Sequence, residues 1–250
     1  MDLEQISRKS LFGQLLRLPL RLIPPEMTMP IWLGKLAGKK WIVGAGRNGC
    51  WLGTYEYDNQ RVLEKTLKLG NTVFDIGAHA GFFTLLTSVL VGDKGKVFAF
   101  EPLPQNLGYL RKHLSINSIT NATVMAAALS DRSGMASFRE TSGSYQGGIS
   151  SQGTLQVKMV SLDELIASGE IPVPDCIKID VEGHEKFVLL GAKSLLESAH
   201  PTIFLSIHGR PVYEQCCQLL ESLGYKIQVL DKPDGGELPK NLDLIASYPG

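Results

Sequence analysis

One stretch, Thr72 to Glu101, limits what this chain can fold into more than any other. It reads TVFDIGAHAGFFTLLTSVLVGDKGKVFAFE. Val73, Phe74 and Ile76 make a short apolar run, which predicts a buried parallel strand. The run ends in Asp75 and Gly77. Gly81 follows, and then a helical pattern that starts Phe82-Phe83-Thr84-Leu85-Leu86. A second strand, Lys96 to Phe100, stops at an acid, Glu101. Strand, glycine turn, helix, strand and acid come in the order of a nucleotide-binding crossover. Glu101 stands where a carboxylate accepts hydrogen bonds from both hydroxyls of a ribose. Its distance from the first glycine is close to the ~20 residues that this fingerprint requires.

The details of the turn select the ligand. It is Asp75-x-Gly77-x-His79-x-Gly81, not G-x-G-x-x-G. An acid that opens the loop suits an ammonium group and no pyrophosphate, which points to S-adenosylmethionine and away from NAD. Gly77 and Gly81 lack a Cβ, so backbone there is expected to approach the methionine portion closely. His79 takes a middle position usually held by glycine. Histidine is among the few residues tolerated in a left-handed conformation, so the turn survives it.

Across all 250 residues, Lys+Arg and Asp+Glu both total 25, so overall charge implies no nucleic-acid partner. The first 50 residues hold eight Lys/Arg against three Asp/Glu. Within them, residues 1–23 carry Leu3, Ile6, Phe12, Leu15 and Leu16 with Arg8, Lys9, Arg17 and Arg21 interleaved. Such a segment either docks on the domain as a helix or lies on an anionic membrane. Arg17 and Arg21 interrupt the apolar region that a signal peptide needs. No apolar run approaches the ~18 residues that span a bilayer. Cys50, Cys176, Cys216 and Cys217 form no C-x-x-C pair and read as reduced thiols. A cytoplasmic protein, with peripheral membrane contact as an option, is the expectation.

Residues 41–57, WIVGAGRNGCWLGTYEY, contain a G-x-G-x-x-G match at Gly44–Gly49. Asn48-Gly49 between two strand-like runs predicts a β-hairpin instead of a dinucleotide site. Asp58 reads as the N-cap of a helix over 59–69. Residues 1–57 are thus an expected N-terminal extension, and 58–250 the main domain. Further along, a helix to about Asn117, a strand from Ala122, an antiparallel pair over 134–141 and 154–160, and a short helix from Ser161 follow. The Gly/Ser-rich loop Ser142 to Gly153 is a candidate lid. Cys176 to Asp180 is a fourth strand, followed by a helix to about Ser198. Thr202 to Ile207 is a fifth, and a helix covers 211–223. The last two strands, from Tyr225 and Leu242, have no helix between them and must pair antiparallel. The whole is an α/β, doubly wound, mostly parallel seven-stranded sheet with an antiparallel terminal strand, preceded by a helix and a hairpin.

That arrangement resembles the class I methyltransferases. VFDIGAHAGFF, FEPLPQN, AALSD, VSLDEL, IKIDVEGHE and LSIHG resemble the FkbM family of S-adenosylmethionine-dependent methyltransferases over about residues 71–208. Asp180-Val181-Glu182-Gly183-x-Glu185 is the most specific of these elements. The family often has Glu where Ser206 stands here, so one carboxylate is missing on the acceptor side. The resemblance implies O-methylation of a hydroxyl on a sugar, glycolipid or polyketide-like molecule.

Ligands of open α/β sheets bind beyond the carboxyl ends of the strands. Asp75, Gly77, His79 and Gly81 would take the methionine portion, Glu101 with Pro102 and Asn106 the ribose, and Ala128, Leu129 and Ser130 the adenine. Asp180 borders the cofactor too. It and His208 are the candidate bases, with Glu182 and then His184 next. Asp180, Glu182 and His208 are alternatively a set of ligands for a divalent cation, the less favoured reading because two carboxylates and one His without geometry are weak grounds for a metal. Two other readings remain: a binding protein of the same fold without catalysis, and an NAD-dependent oxidoreductase that uses Glu101 in the same way.

Overall fold

The computed structural model describes residues 19–140, 147–149, 153–230 and 241–249. The amphipathic segment up to residue 18, most of the candidate lid between Ser142 and Gly153, and the 231–240 loop lie outside the described residues.

The strands are β1 (Thr28–Pro30), β2 (Lys40–Ile42), β3 (Thr72–Ile76), β4 (Lys96–Phe100), β5 (Ala122–Met125), β6 (Ala128–Leu129), β7 (Gly134–Glu140), β8 (Gly147–Ile149), β9 (Leu155–Val160), β10 (Cys176–Ile179), β11 (Thr202–His208), β12 (Lys226–Val229) and β13 (Asn241–Ser247). Seven of them form the central sheet in the order β12-β13-β11-β10-β3-β4-β5. From β11 to β5 all pairs are parallel, and β13 runs antiparallel to both its neighbours. A short connection from β12 to β13 leaves no other direction. The expected pair β7–β9 is antiparallel and belongs to a second sheet, ordered β6-β9-β7-β8.

Helices cover both faces of the central sheet, so its middle strands are buried on both sides. All four residues of β10 are buried. Alternate residues of β3 therefore serve different cores. Val73 packs with Trp41, Trp51, Phe82, Leu85 and Leu110. Phe74 and Ile76 pack with Ile177, Leu189, Leu205 and Leu220. Asp75 shares the face of Val73, and a buried carboxylate there requires a partner.

The segment before β3 differs from expectation. No hairpin forms over residues 41–55. β2 pairs antiparallel with β1, and Asn48–Leu52 is a five-residue helix. A two-stranded ribbon buries one face, whereas Cys50, Trp51 and Leu52 are all buried. Packing overrides the Asn-Gly turn preference. Residues 31–52 share a core with the sheet, so this part of the expected extension is integral to it. The next helix is Tyr57–Thr66, entered through Glu56 in a left-handed conformation, and Asp58 lies in its first turn and is not its N-cap. The helix expected to run to Ser198 is two, Glu185–Leu190 and Lys193–Ser198. The break is at Gly191, where a Cβ would stand 1.9 Å from the Ser130 carbonyl oxygen.

The tie between the early segment and the sheet is a histidine in the helix Pro104–Ile116. His113 is fully buried. Its Nδ1–H donates to the Ala80 carbonyl at 2.7 Å, and its Nε2 accepts from the Ile42 N–H at 3.0 Å. Its ring stacks on Trp41 at 3.8 Å between centroids. These bonds need the neutral ring. Burial lowers the pKa to about 4, against the opposing effect of the Ala80 bond. The folded value lies below the unfolded one of about 6.5, so acid favours the unfolded chain. The stability that His113 contributes is complete above about pH 6.5 and is lost as pH falls toward 4. Urea unfolding at pH 6.5 and pH 4.5 measures it: the wild type should lose about 2–3 kcal/mol more than His113→Gln over that interval. Equal losses would remove His113 as the acid-sensitive tie.

Candidate active site

The ends of β3, β4 and β10, with residues that follow β5, enclose a cavity of about 360 Å³. That volume suits a small-molecule ligand. Its position at the carboxyl edge follows from the parallel sheet.

At one end stands Glu101, 4% exposed. Its Oε2 accepts from the His79 backbone N–H at 2.8 Å. Its Oε1 accepts from the Leu103 N–H at 2.9 Å and from Asn106 Nδ2 at 3.3 Å. A carboxylate has about four acceptor sites, and three are taken. Among the described residues no donor takes the remaining site, on Oε2. Burial pushes the Glu101 carboxyl up to about 7, against the three hydrogen bonds.

The turn after β3 is held by protein contacts. Gly77 has φ 79°, and a Cβ there would lie 1.8 Å from the Asp180 carbonyl oxygen. Gly81 has φ 93°, and a Cβ there would lie 2.5 Å from Leu110 Cδ1. Both glycines are needed, but their bare faces meet the chain, not the cavity as expected. Gly77 lines the cavity and Gly81 does not. His79 adopts φ 51°, the left-handed conformation that the sequence allows it.

The floor is ionic. Lys178 pairs across the β3–β10 ladder with Asp75. Its Nζ lies 3.9 Å from Asp75 Oδ1, 3.6 Å from Asp180 Oδ2 and 4.7 Å from the centre of the Phe83 ring. Burial alone would lower the Lys178 pKa, but Asp180 and Asp75 hold it above its ordinary value. Asp75 is fully buried and accepts from Thr84 Oγ1 at 2.6 Å through Oδ2. Its Oδ1 has no hydrogen-bond donor among the described residues.

At the other end are the acids of the turn after β10. Asp180, Val181 and Glu182 line the cavity, and His208 does not. His208 sits behind them. Its Nδ1–H donates to the buried Glu185 Oε1 at 2.8 Å, and its Nε2 lies 3.4 Å from Glu182 Oε2 and 3.8 Å from Asp180 Oδ1. The Gly183 N–H donates to the same Glu185 oxygen at 2.9 Å. Burial alone would lower the His208 pKa, but the Glu185 bond and the charges of Asp180 and Glu182 raise it to about 9. The ring is therefore an imidazolium at neutral pH. Burial raises Glu182 above the ordinary carboxylate range, and His208 opposes the shift. Asp180, Glu182 and His208 also offer ligand atoms within 4.8 Å of one another.

Of the expected residues, Asp75, Gly77, His79, Glu101, Pro102, Asn106, Ala128, Leu129, Asp180 and Glu182 line the cavity. Ser130 does not. It turns away, with Oγ 2.9 Å from His184 Nε2, and His184 reaches the cavity in its place. Sequence reasoning missed Trp41, Arg47, Cys50 and Tyr55, which wall the cavity from the segment before β3, and it missed Lys178. A lysine inside a fully apolar strand was a signal for a buried acid on the neighbouring strand.

Residues 75–227 match the Methyltransferase FkbM domain, which is more than half of the chain. A hexuronic acid methyltransferase from Haloferax volcanii is 33% identical over 157 residues, 61% of this chain and 62% of that protein. The chain thus spans less than two thirds of that relative. Among solved structures, methyltransferase FkbM from Methylobacillus flagellatus KT matches with a TM-score of 0.53 at 18% identity, over 77% of this chain and 48% of that one. Precorrin-6y C5,15-methyltransferase from Geobacter metallireducens GS-15 matches with a TM-score of 0.51 at 20% identity, over 78% and 88%. At these identities the likeness is one of fold, and it is the class I methyltransferase fold. The chain belongs to the FkbM methyltransferase family.

Proposed function

We propose that this chain transfers a methyl group from S-adenosylmethionine to a hydroxyl of a sugar or sugar-derived acceptor, with a hexuronic acid as the first candidate. The observation that carries the reading is the polarity of one cavity. A buried carboxylate with one open acceptor site closes one end, and two acids backed by a cation close the other. The relative's hexuronic acid substrate supports the acceptor class.

The residues fit the cofactor. The open site on Glu101 suits a ribose hydroxyl. Asp75 Oδ1 makes no hydrogen bond among the described residues and has only the Lys178 ammonium 3.9 Å away, so its charge favours an ammonium group nearby. Phe100, Leu103, Ala128, Leu129 and Phe138 give an apolar wall for a base. When bound, S-adenosylmethionine supplies an electrophilic methyl group on a sulfonium centre. An acceptor hydroxyl must lose its proton as it is methylated. His208, already protonated, cannot take it. We assign that role to Asp180 at the end of β10, with Glu182 beside it. His208 holds both carboxylates in place and balances their charge, and Glu185 orients its ring.

Two measurements test the two ends. Glu101→Ala removes a charge-assisted bond worth roughly 1.5–3 kcal/mol, so calorimetry should show S-adenosylmethionine bound at least tenfold more weakly. Affinity should also weaken in the wild type as pH falls below about 7, where Glu101 takes up its proton. Unchanged affinity in the variant would take Glu101 out of the cofactor site.

Asp180→Asn should keep cofactor affinity within a few-fold and lower turnover by about 10²-fold, the scale of general-base assistance. In His208→Gln, turnover should fall and lose the decline that the wild type shows as pH rises through about 9. Release of S-adenosylhomocysteine with a hexuronic acid acceptor distinguishes an enzyme from a binder. Activity should persist in chelator. Loss there, restored by magnesium, would assign Asp180, Glu182 and His208 to a cation. Full activity in both variants would move the chemistry elsewhere.

A further inference from the structure

We infer that the loop joining β1 to β2 is a docking tip for an anionic lipid surface. Residues 32–40 read WLGKLAGKK, with three lysines and no acid. Trp32 is 55% and Leu33 54% exposed, side by side. Soluble chains scatter exposed apolar residues singly, and a paired Trp-Leu calls for a cause.

The loop is built to hold them there. The Ile31 N–H donates to the Lys39 carbonyl at 2.6 Å and the Gly38 N–H to the Ile31 carbonyl at 2.9 Å. Ile31 and Leu36, each 1% exposed, anchor it in the core. The Trp32 N–H donates to the Trp51 carbonyl at 3.1 Å, and the two indoles meet edge to face at 5.4 Å. The Leu33 backbone lies on Gly53, where a Cβ would stand 2.2 Å from its carbonyl oxygen. The backbone is fixed and the side chains of Trp32 and Leu33 project. Exposure here is not fraying.

The chemistry of the tip fits a bilayer interface. Tryptophan favours the headgroup level, and lysines beside it meet anionic headgroups. Lys35 and Lys40 are exposed and Lys39 is half-buried, and none of the three forms an ion pair among the described residues. The tip rests on the helix Asn48–Leu52, from which Cys50 lines the cavity, as does Arg47 just before it. A protein seated through this loop would hold the cavity wall close to the lipid.

The experiment uses the full chain with vesicles of phosphatidylcholine, with and without phosphatidylglycerol. Trp41 and Trp51 are 1% and 0% exposed, so a lipid-dependent change in emission reports Trp32. The protein should sediment with the anionic vesicles, with roughly a hundredfold preference over neutral ones, and high salt should release it. Emission should shift to shorter wavelength and be quenched by brominated lipid. Trp32→Ser with Leu33→Ser should weaken partition at least tenfold, and Lys35→Glu with Lys39→Glu and Lys40→Glu should abolish the anionic preference. Both variants should stay folded, the first melting only a few degrees lower through loss of the Trp32–Trp51 ring contact. Sedimentation of the Trp32/Leu33 variant equal to wild type, or Trp emission unmoved by lipid, would overturn the proposal. So would no sedimentation at all, which would leave a protein partner as the occupant of the tip.

Discussion

A single ammonium group holds the carboxyl edge of this sheet together. Lys178 lies in a strand with no exposed residue, between Asp75 on β3 and Asp180 after β10. A lone charge there would be expelled or neutralised. With two carboxylates and the Phe83 face around it, Lys178 stays charged and keeps Asp75 and Asp180 in fixed relation. Removing Lys178 would leave the buried Asp75 carboxylate without a counter-ion, which is far costlier than the loss of a surface ion pair. Asp75 on β3 and Asp180 after β10 thus share one counter-ion.

The second support comes from outside the sheet. Trp41 and Ile42 reach His113, and His113 reaches the Ala80 carbonyl of the loop between Gly77 and Gly81. The segment before β3 therefore does more than cover apolar surface. It fixes the backbone that also presents the His79 N–H to Glu101. The neutral ring required there and the charged ring at His208 put two histidines to opposite uses. Burial decides the first, and three carboxylates decide the second.

The sheet was legible because each central strand is an apolar run ended by glycine or acid, and because its connections have the lengths that parallel crossovers need. Glu101 and Asp180 were legible as strand-end acids for the same reason. What was hidden depends on contacts far apart in sequence. The helix at Asn48–Leu52 has strong local turn chemistry against it and forms because Trp51 gains a fully buried site. Lys178 reads as an exception within its strand until the register with Asp75 is known. Ser130 and His208 stand at strand ends, as the cavity requires, but each turns its polar atoms to another side chain, Ser130 to His184 and His208 to Glu185. Spacing sets which edge a residue occupies. It does not set which way the side chain points.

The glycine at 77 shows how these levels join. Sequence patterns mark it as a place for a ligand to approach, and the structure gives it a different reason. Its bare face admits the Asp180 carbonyl, while the Asp180 N–H donates to the Ile76 carbonyl at 3.0 Å. The Gly77 and Ala78 N–H groups both donate to the Phe100 carbonyl at 3.0 Å, one residue before Glu101. Three strand ends are thereby locked to one another through backbone alone. Asp180, the loop that starts at Gly77, and Glu101 thus have their spacing set by the protein's own backbone. Alignment of reacting groups is the main resource in a transfer between two bound molecules. In this fold it rests on the Lys178 ion pairs together with one close backbone contact that only glycine permits, between Gly77 and the Asp180 carbonyl.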